Sequence, residues 1–374
     1  MIAARSAAAR LAKEQVVVLV AATLALLSCL LVTPDREYRD YFETRTLMCL
    51  FCTMAVIAAL DNVGFLTALA DRVVRRFRTR RGMIVGLVYA TGAWATLISN
   101  DMALLTFLPL TYVALEATSN ERYLAFAFVM ETAAANLGGM ITPFGSPQNL
   151  FLYSHFNIAA SDFFGVMLLP FVVSMVLITA ICRCVPDAPI EAMDVRKPFR
   201  TWPTVAYFML FALAVAIVFR VTPVWVGFVV PVALLVLDRS AFAKLDYALL
   251  LTFVFFFIFS GNLARIGTVH TALTGLMDAN VLLWSTLSSQ VISNVPSAIL
   301  LAQFTDDYRE LLVGVNIGGV GTIVGSLASL IALSAYRTYH PQGTRKFMVI
   351  FSAVNVGLLA VLLVVMSVGF AVVL

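Results

Sequence analysis

Charge is what this chain has least of. Asp, Glu, Lys and Arg make up 12% of its 374 residues, about half the share of an ordinary soluble domain. A water-facing surface needs more, so a soluble globular fold is excluded. Histidine is scarce as well: His155, His270 and His340 stand apart near the ends of apolar segments, where a structural or solvent-facing role is expected of each. The five cysteines (Cys29, Cys49, Cys52, Cys182 and Cys184) lie in or beside apolar runs. Cys49 and Cys52 have C-x-x-C spacing, but no second pair or histidine cluster completes a zinc site. They read as small apolar packing residues, and no metal centre or cofactor is expected. H-E-x-x-H, G-x-S-x-G and a Walker-type phosphate loop are all missing, which argues against an enzyme and against an ATP-driven pump. The basic run Arg72, Arg75, Arg76, Arg78, Arg80 and Arg81 holds a single aromatic, Phe77, and no soluble binding module accompanies it. It reads as a topology anchor beside anionic lipid rather than a nucleic-acid surface.

What the chain does have is apolar length. Hydrophobic residues are 61% of it and its mean hydropathy is +0.95. Its long apolar runs suit the crossing of about 30 Å of hydrocarbon, and in lipid such runs must be helices because no water satisfies the backbone. The expected class is an all-α polytopic membrane protein whose partner is the bilayer itself, with no soluble domain. Full spans are predicted at 16–33, 46–66, 122–158, 163–185, 202–219, 223–238, 246–264, 309–337 and 347–373. The first is read as a transmembrane helix, since its run is long for a signal core and lacks a small-residue cleavage site. Two further stretches, 82–117 and 279–304, are interrupted by Ser99-Asn100-Asp101 and Ser293-Asn294. Re-entrant hairpins are predicted there, each half too short to cross. With nine spans, two hairpins and a cytoplasmic N-terminus, 19 of the 25 Lys and Arg fall inside, as the positive-inside rule requires of a protein in the cell membrane.

An internal repeat underlies this count. Asn136 to Ser154 and Asn316 to Ser334 align without gaps at an offset of 180, with 8 of 19 positions identical, among them Asn136/Asn316, Gly138/Gly318, Gly139/Gly319, Thr142/Thr322, Gly145/Gly325 and Ser146/Ser326. The Ser-Asn tips upstream lie 194 residues apart, and Asp61-Asn62 and Gly261-Asn262 end comparable helices. The chain therefore divides into a first repeat at 1–201, a linking helix at 202–222 and a second repeat at 223–374. The linking helix inverts the second copy. Each copy has a hairpin (82–117, 279–304) and a broken helix (122–158, 309–337), an arrangement that places sites near the bilayer midplane.

The breaks carry the chemistry. Thr142-Pro143-Phe144-Gly145-Ser146-Pro147 cannot be continuous helix, because two prolines remove N–H donors. Freed carbonyls suit Na⁺, and the exposed half-helix N-terminus suits an anion. Thr142, Gly145, Ser146, Gln148 and Asn149 are the candidate ligands in the first copy, and Thr322, Gly325, Ser326 and Ser329 hold the matching places in the second. Ser99, Asn100, Ser293 and Asn294 supply the tips. Close packing of small residues is the competing structural explanation. Ionisable residues within the membrane are functional hypotheses by default. Asp101 is the strongest, as part of a cation site. Glu131, five residues before Asn136, is a candidate proton carrier or an internally paired acid. Asp61 lies near its helix end and reaches the interface. The second tip has Val295-Pro296 in place of Asp101-Met102, so only the first brings a charge.

Hairpin tips followed by broken helices resemble the ion transporter superfamily, which includes citrate and divalent-anion symporters, arsenite permeases and sodium/proton antiporters. Ser99-Asn100 and Ser293-Asn294 are similar to the Ser-Asn-Thr tips of the divalent-anion symporters, and Gly139 to Asn149 is similar to their broken-helix segment. Asn100-Asp101 and Asn294-Val295-Pro296 stand closer to the arsenite-permease and antiporter branch. The resemblance implies a mobile transport unit moving against a scaffold, an elevator, in a homodimer. Two functions stay open. One is cation-coupled transport, with Na⁺ or H⁺, of a small anion such as citrate or a dicarboxylate. The other is a sodium/proton exchanger or arsenite efflux permease, whose partner would be an inorganic ion.

Overall fold

The structure, a computed structural model, describes residues 2–66, 68, 77–190 and 201–372. Among these residues the fold is helical throughout, and only Thr79 and Pro189 form an isolated β-bridge. The first part of the chain folds as α1 (Ile2–Leu31), α2 (Thr44–Asn62), α3 (Arg80–Leu97), α4 (Asn100–Ala117), α5 (Leu124–Gly139), α6 (Pro147–His155) and α7 (Ala160–Cys182). The remainder forms α8 (Thr201–Val218), α9 (Val229–Leu237), α10 (Tyr247–Arg265), α11 (Gly267–Ala279), α12 (Val281–Ile292), α13 (Asn294–Leu301), α14 (Tyr308–Ile317), α15 (Leu327–Tyr339) and α16 (Thr344–Val372). Among the described residues, four segments are long and apolar enough to cross a membrane: Arg36–Asn62, Ala160–Cys182, Tyr247–Arg265 and Pro341–Ala371.

Local chemistry explains where the helices stop. Chain reversal at Ile98-Ser99 separates α3 from α4, and Ser293, at φ 74°, separates α12 from α13. A positive φ at a serine is strained backbone, which folds hold at few places other than functional ones. Pro147 begins α6 at N1, where its missing N–H costs nothing. Basic side chains close two helix ends, as the helix dipole favours. Arg80 and Arg81 donate to the carbonyl oxygens of Pro186 and Val185 beyond α7. Arg220 donates to those of Tyr153 in the last turn of α6 and Ile158 beyond it.

Two apolar clusters organise the packing. One draws on the hairpins α3–α4 and α12–α13, the broken helices α5–α6 and α14–α15, and their neighbours. The other is built from α2, α8, α9 and residues 241–245, and Ile98 at the first tip reaches into it. The asparagines that end α2 and α10 each reach into the other half. Asn62 donates to Asp238 at 2.8 Å, while Asn262 donates to Ser28 at 3.0 Å and accepts from Tyr41 at 3.2 Å.

The structure corrects one expected span and adds detail at two other places. The arms of the first hairpin have 18 residues each, about 27 Å at 1.5 Å per residue, a little under the thickness of the hydrocarbon. Counting only apolar positions from 82 left out the capped turn at Thr79 and Arg80-Arg81. The stretch 223–238 is a 3₁₀ turn (Val224–Phe228) followed by a nine-residue α-helix, shorter than a span; Pro223 and Pro231 interrupt its hydrogen bonding. Between α10 and the second hairpin, α11 occupies residues that belong to none of the expected spans. Arg72, Arg75 and Arg76 of the basic run, and 191–200 of the expected cytoplasmic segment 183–201, lie outside the described residues.

Candidate functional site

Four helices begin where the hairpin tips meet the breaks, and each has serine at its N-cap: Ser99 before α4, Ser146 before α6, Ser293 before α13 and Ser326 before α15. An N-terminus leaves amide N–H groups without intrahelical acceptors and carries the positive end of the dipole. Asp101, in the first turn of α4, is well placed against that dipole.

Each tip is tied to the break that follows it by the same bonds. Asn100 N donates to Gly145 O at 3.2 Å, and Asn294 N to Gly325 O at 3.0 Å. Thr142 Oγ1 donates to Thr96 O at 2.7 Å, and Thr322 Oγ1 to Gln290 O at 3.0 Å. Asp101 N and Val295 N each bond the preceding asparagine Oδ1, at 3.0 and 2.9 Å. Every pair keeps the offsets of the sequence repeat, 194 for the hairpins and 180 for the breaks. Close packing supports them. A Cβ on Gly138 would lie 2.7 Å from Gly92 O, and one on Gly318 would lie 2.6 Å from the Ser289 Cβ.

The two units interlock through Asn136 and Asn316. Asn136 Nδ2 donates to Ser326 Oγ at 2.9 Å and to Gly319 O at 3.1 Å, while its Oδ1 accepts from Asn100 at 3.2 Å. Asn316 Nδ2 donates to Asn149 Oδ1 at 2.6 Å, and its Oδ1 accepts from Gln148 at 3.2 Å. Asn149 Nδ2 also holds the carbonyl oxygens of Met140 and Thr142, at 3.0 and 3.1 Å. These two asparagines stood out in the repeat but not as site residues; their identity in both copies, inside apolar helices, was the signal. Ser329, already singled out in the sequence, pairs with Ser326 Oγ at 2.9 Å and belongs to the same network.

The network is closed on one side and open on the other. Ser326 is fully engaged with Asn136 and Ser329. Its counterpart Ser146 is 2% exposed, and its Oγ has no hydrogen-bond partner. Gln148 Oε1, two residues on in the first turn of α6, is also buried and without one. Both atoms lie beside the α6 N-terminus, and a ligand there would satisfy them.

The candidate residues occupy three places. Asn100, Ser146, Gln148, Asn149, Asn294 and Ser326 belong to the buried centre, with Gly145 and Gly325 supplying carbonyls to the tips. Thr142 and Thr322 fasten breaks to hairpins. Asp101 and Ser99 line a cavity of about 60 Å³ on the side of the first tip that faces α2, with Thr53, Phe144, Pro147, Lys244 and Asp246. Asp61 is paired with Lys244 at 2.5 Å at the rim, in keeping with an interfacial role. Glu131 is set apart on α5, fully buried. No group of three or more metal-ligating His, Cys, Asp or Glu occurs among the described residues.

Comparison with known proteins adds a family. A family profile described as citrate transporter (CitMHS) matches residues 7–307. An uncharacterized transporter of Methanocaldococcus jannaschii is 29% identical over 316 residues, covering 82% of this chain and 85% of that protein. The inner membrane protein YbiR of Escherichia coli is 30% identical over 302 residues, 78% of this chain and 79% of its own length. Among solved structures, the YdaH transporter of Alcanivorax borkumensis matches with a TM-score of 0.52 over 97% of this chain and 98% of that one, at 12% identity. That likeness is one of fold, an all-helical transporter architecture.

Proposed function

Because the chain belongs to the citrate transporter family, we propose that this membrane transporter moves a small carboxylate anion, such as citrate or a dicarboxylate, coupled to a cation. One observation carries the reading: four serine-capped helix N-termini meet around a buried centre in which Ser146 Oγ and Gln148 Oε1 lack partners. Such N-termini favour an anion without the desolvation cost of a buried lysine or arginine. The carboxylate sits between the two tips at Ser146, Asn100 and Asn294. Na⁺ is held on the Asp101 side of the first tip, where a carboxylate would offset its charge.

Alternating access follows from taking the two units as inverted copies. The recurrence of the same hydrogen bonds at fixed offsets supports that treatment. Hairpins and broken helices move as a unit against α1, α2 and α8–α10, in an elevator motion, and the protein works as a homodimer. The charge distribution favours a cytoplasmic N-terminus. The Escherichia coli relative's name, an inner membrane protein, supports the cell membrane as location.

The second reading, a sodium/proton exchanger or oxyanion efflux permease, draws on Asp101 and Glu131 both lying in the first unit. Thermal stability of the detergent-purified protein separates the two, titrated with Na⁺ at constant ionic strength with and without citrate, succinate and arsenite. A ligand at 100 times its Kd adds about 2.7 kcal/mol. Stabilisation by Na⁺ that grows with a carboxylate supports the symporter. Stabilisation by Na⁺ or pH alone, indifferent to carboxylates, supports the exchanger and sinks the first reading.

A further inference from the structure

The anion path described above makes no use of Glu131. Among the described residues it is the only fully buried carboxylate. It lies on α5, five residues before Asn136, about 7.5 Å along the axis at 1.5 Å per residue. Both arms of the first hairpin reach its Oε1: Thr111 Oγ1 of α4 donates at 2.5 Å, and Thr91 Oγ1 of α3 stands at 3.4 Å. A threonine hydroxyl has one hydrogen, and that of Thr91 goes to Leu87 O at 2.8 Å. With its hydrogen held there, Thr91 Oγ1 is free to accept from a protonated Glu131, whereas toward an ionised one it is a long donor at 3.4 Å. Glu131 Oε2 is buried with no hydrogen-bond partner.

An ionised carboxylate only accepts hydrogen bonds, whereas a carboxylic acid also donates one. One donor and one waiting acceptor are the surroundings of the acid. No cation among the described residues comes close enough to offset a charge there. The titratable and charged groups that neighbouring elements turn toward α5 are few. Cys182 of α7 faces Glu131 itself. Tyr336 and Tyr339 of α15 pack on Phe128, and Arg80 and Arg122 lie over Tyr123 at the start of the helix. In the second unit the matching position, 180 residues on, is Leu311, equally buried.

We propose that Glu131 is a proton-binding site that latches the first hairpin onto α5. Protonated, it joins α3, α4 and α5 through the two threonine hydroxyls. Without the proton it leaves a bare charge in a dry seam, which is relieved when the arms part or water enters. The inference deepens the transporter reading, on which its role in coupling rests, by naming H⁺ as the ion that acts on this hairpin at a place separate from the anion contacts.

The test is hydrogen-exchange mass spectrometry on the full-length, detergent-purified protein from acidic to alkaline pH, with exchange times scaled for intrinsic rates. Wild-type peptides covering 80–117 are expected to lose protection roughly tenfold at the alkaline end, while those covering 281–301 do not. Glu131→Gln keeps the shape and supplies a donor where the proton would be. Its hairpin is expected to stay protected throughout. Should that variant fail to fold, Glu131→Leu carries the second unit's own residue and serves in its place. The infrared difference spectrum between the two pH values should contain a carboxylic-acid C=O band that is absent from the variant. The same loss of protection in the variant, no loss in the wild type, or an infrared band that persists in the variant would each overturn the latch. No transported ligand enters this measurement, so its failure leaves the anion reading standing, and failure of the Na⁺ and carboxylate titration leaves the latch to be judged alone.

Discussion

In the first hairpin and broken helix, the tip continues into Asp101 and the helix behind it carries Glu131; in the second, the same places are Val295 and Leu311. Yet the tips are fastened to their breaks by matching bonds, from Asn100 to Gly145 and from Asn294 to Gly325. What the units share is backbone geometry, set by glycine, threonine and asparagine. What separates them is charge. A duplicated frame can thus keep its shape through contacts that carry no charge while only one copy takes up ion chemistry. The same split shows in the serines. Ser326 is saturated by Asn136 and Ser329, whereas Ser146 is left with an orphaned hydroxyl.

Substitutions at matched positions can break this contrast. The largest effect is expected at Asp101. Asp101→Asn should lower Na⁺-driven citrate uptake roughly ten- to hundredfold, the equivalent of a charged contact of about 1.5–3 kcal/mol, and adding Val295→Asp should not restore it. Recovery in that double variant would make the units interchangeable and defeat the comparison. Next come the glycines. A Cβ on Gly145 would collide with Gly139 O and lie 2.7 Å from Thr142 Oγ1, whereas on Gly325 the tightest approach is 2.9 Å, to Gly318 O. Gly145→Ala should therefore cost about 1–3 kcal/mol by overpacking and lower the melting temperature further than Gly325→Ala does. Equal melting temperatures would count against the packing described here.

The serines should then part company. Ser326→Ala removes an N-cap that accepts from Ser329 N and strands Asn136, for a loss of about 1 kcal/mol in stability. Ser146→Ala removes no bond within the protein, so its melting temperature should match the wild type while citrate binding weakens about tenfold. Last come Thr142→Val and Thr322→Val. Each loses one bond to a hairpin carbonyl, about 0.5–1.5 kcal/mol. Their shifts in a thermal melt should agree, because this fastening is common to both copies.

Much of the frame is legible in the sequence because polar residues are so rare in it. Ser99-Asn100 and Ser293-Asn294 interrupt apolar runs, and Pro143, Gly145 and Pro147 break a helix that composition would otherwise continue. The centre is less legible. Asn136 and Asn316 align with each other, but alignment does not say that each reaches across to the opposite break, since that contact joins residues about 180 apart in the chain. Ser99, Ser146, Ser293 and Ser326 stand out in the sequence as candidate ligands, but that each caps a helix start shows only in the fold. The length of the first hairpin's arms was obscured because Arg80-Arg81 looked like an end to the apolar run, whereas their side chains reach back to the carbonyls of Val185 and Pro186. Hydropathy also treats 223–238 as one run, although Pro223 and Pro231 limit its α-helix to Val229–Leu237.

The central claim is that an anion is held at the open side of the buried centre, and equilibrium binding of radiolabelled citrate to the purified protein tests it most directly. Binding is measured with and without Na⁺, in the wild type, Ser146→Ala and Ser326→Ala. The account predicts saturable, Na⁺-dependent binding that Ser146→Ala weakens about tenfold without a change in thermal stability. Citrate binding equally strong in Ser146→Ala, or none in the wild type at any Na⁺ concentration, would contradict it.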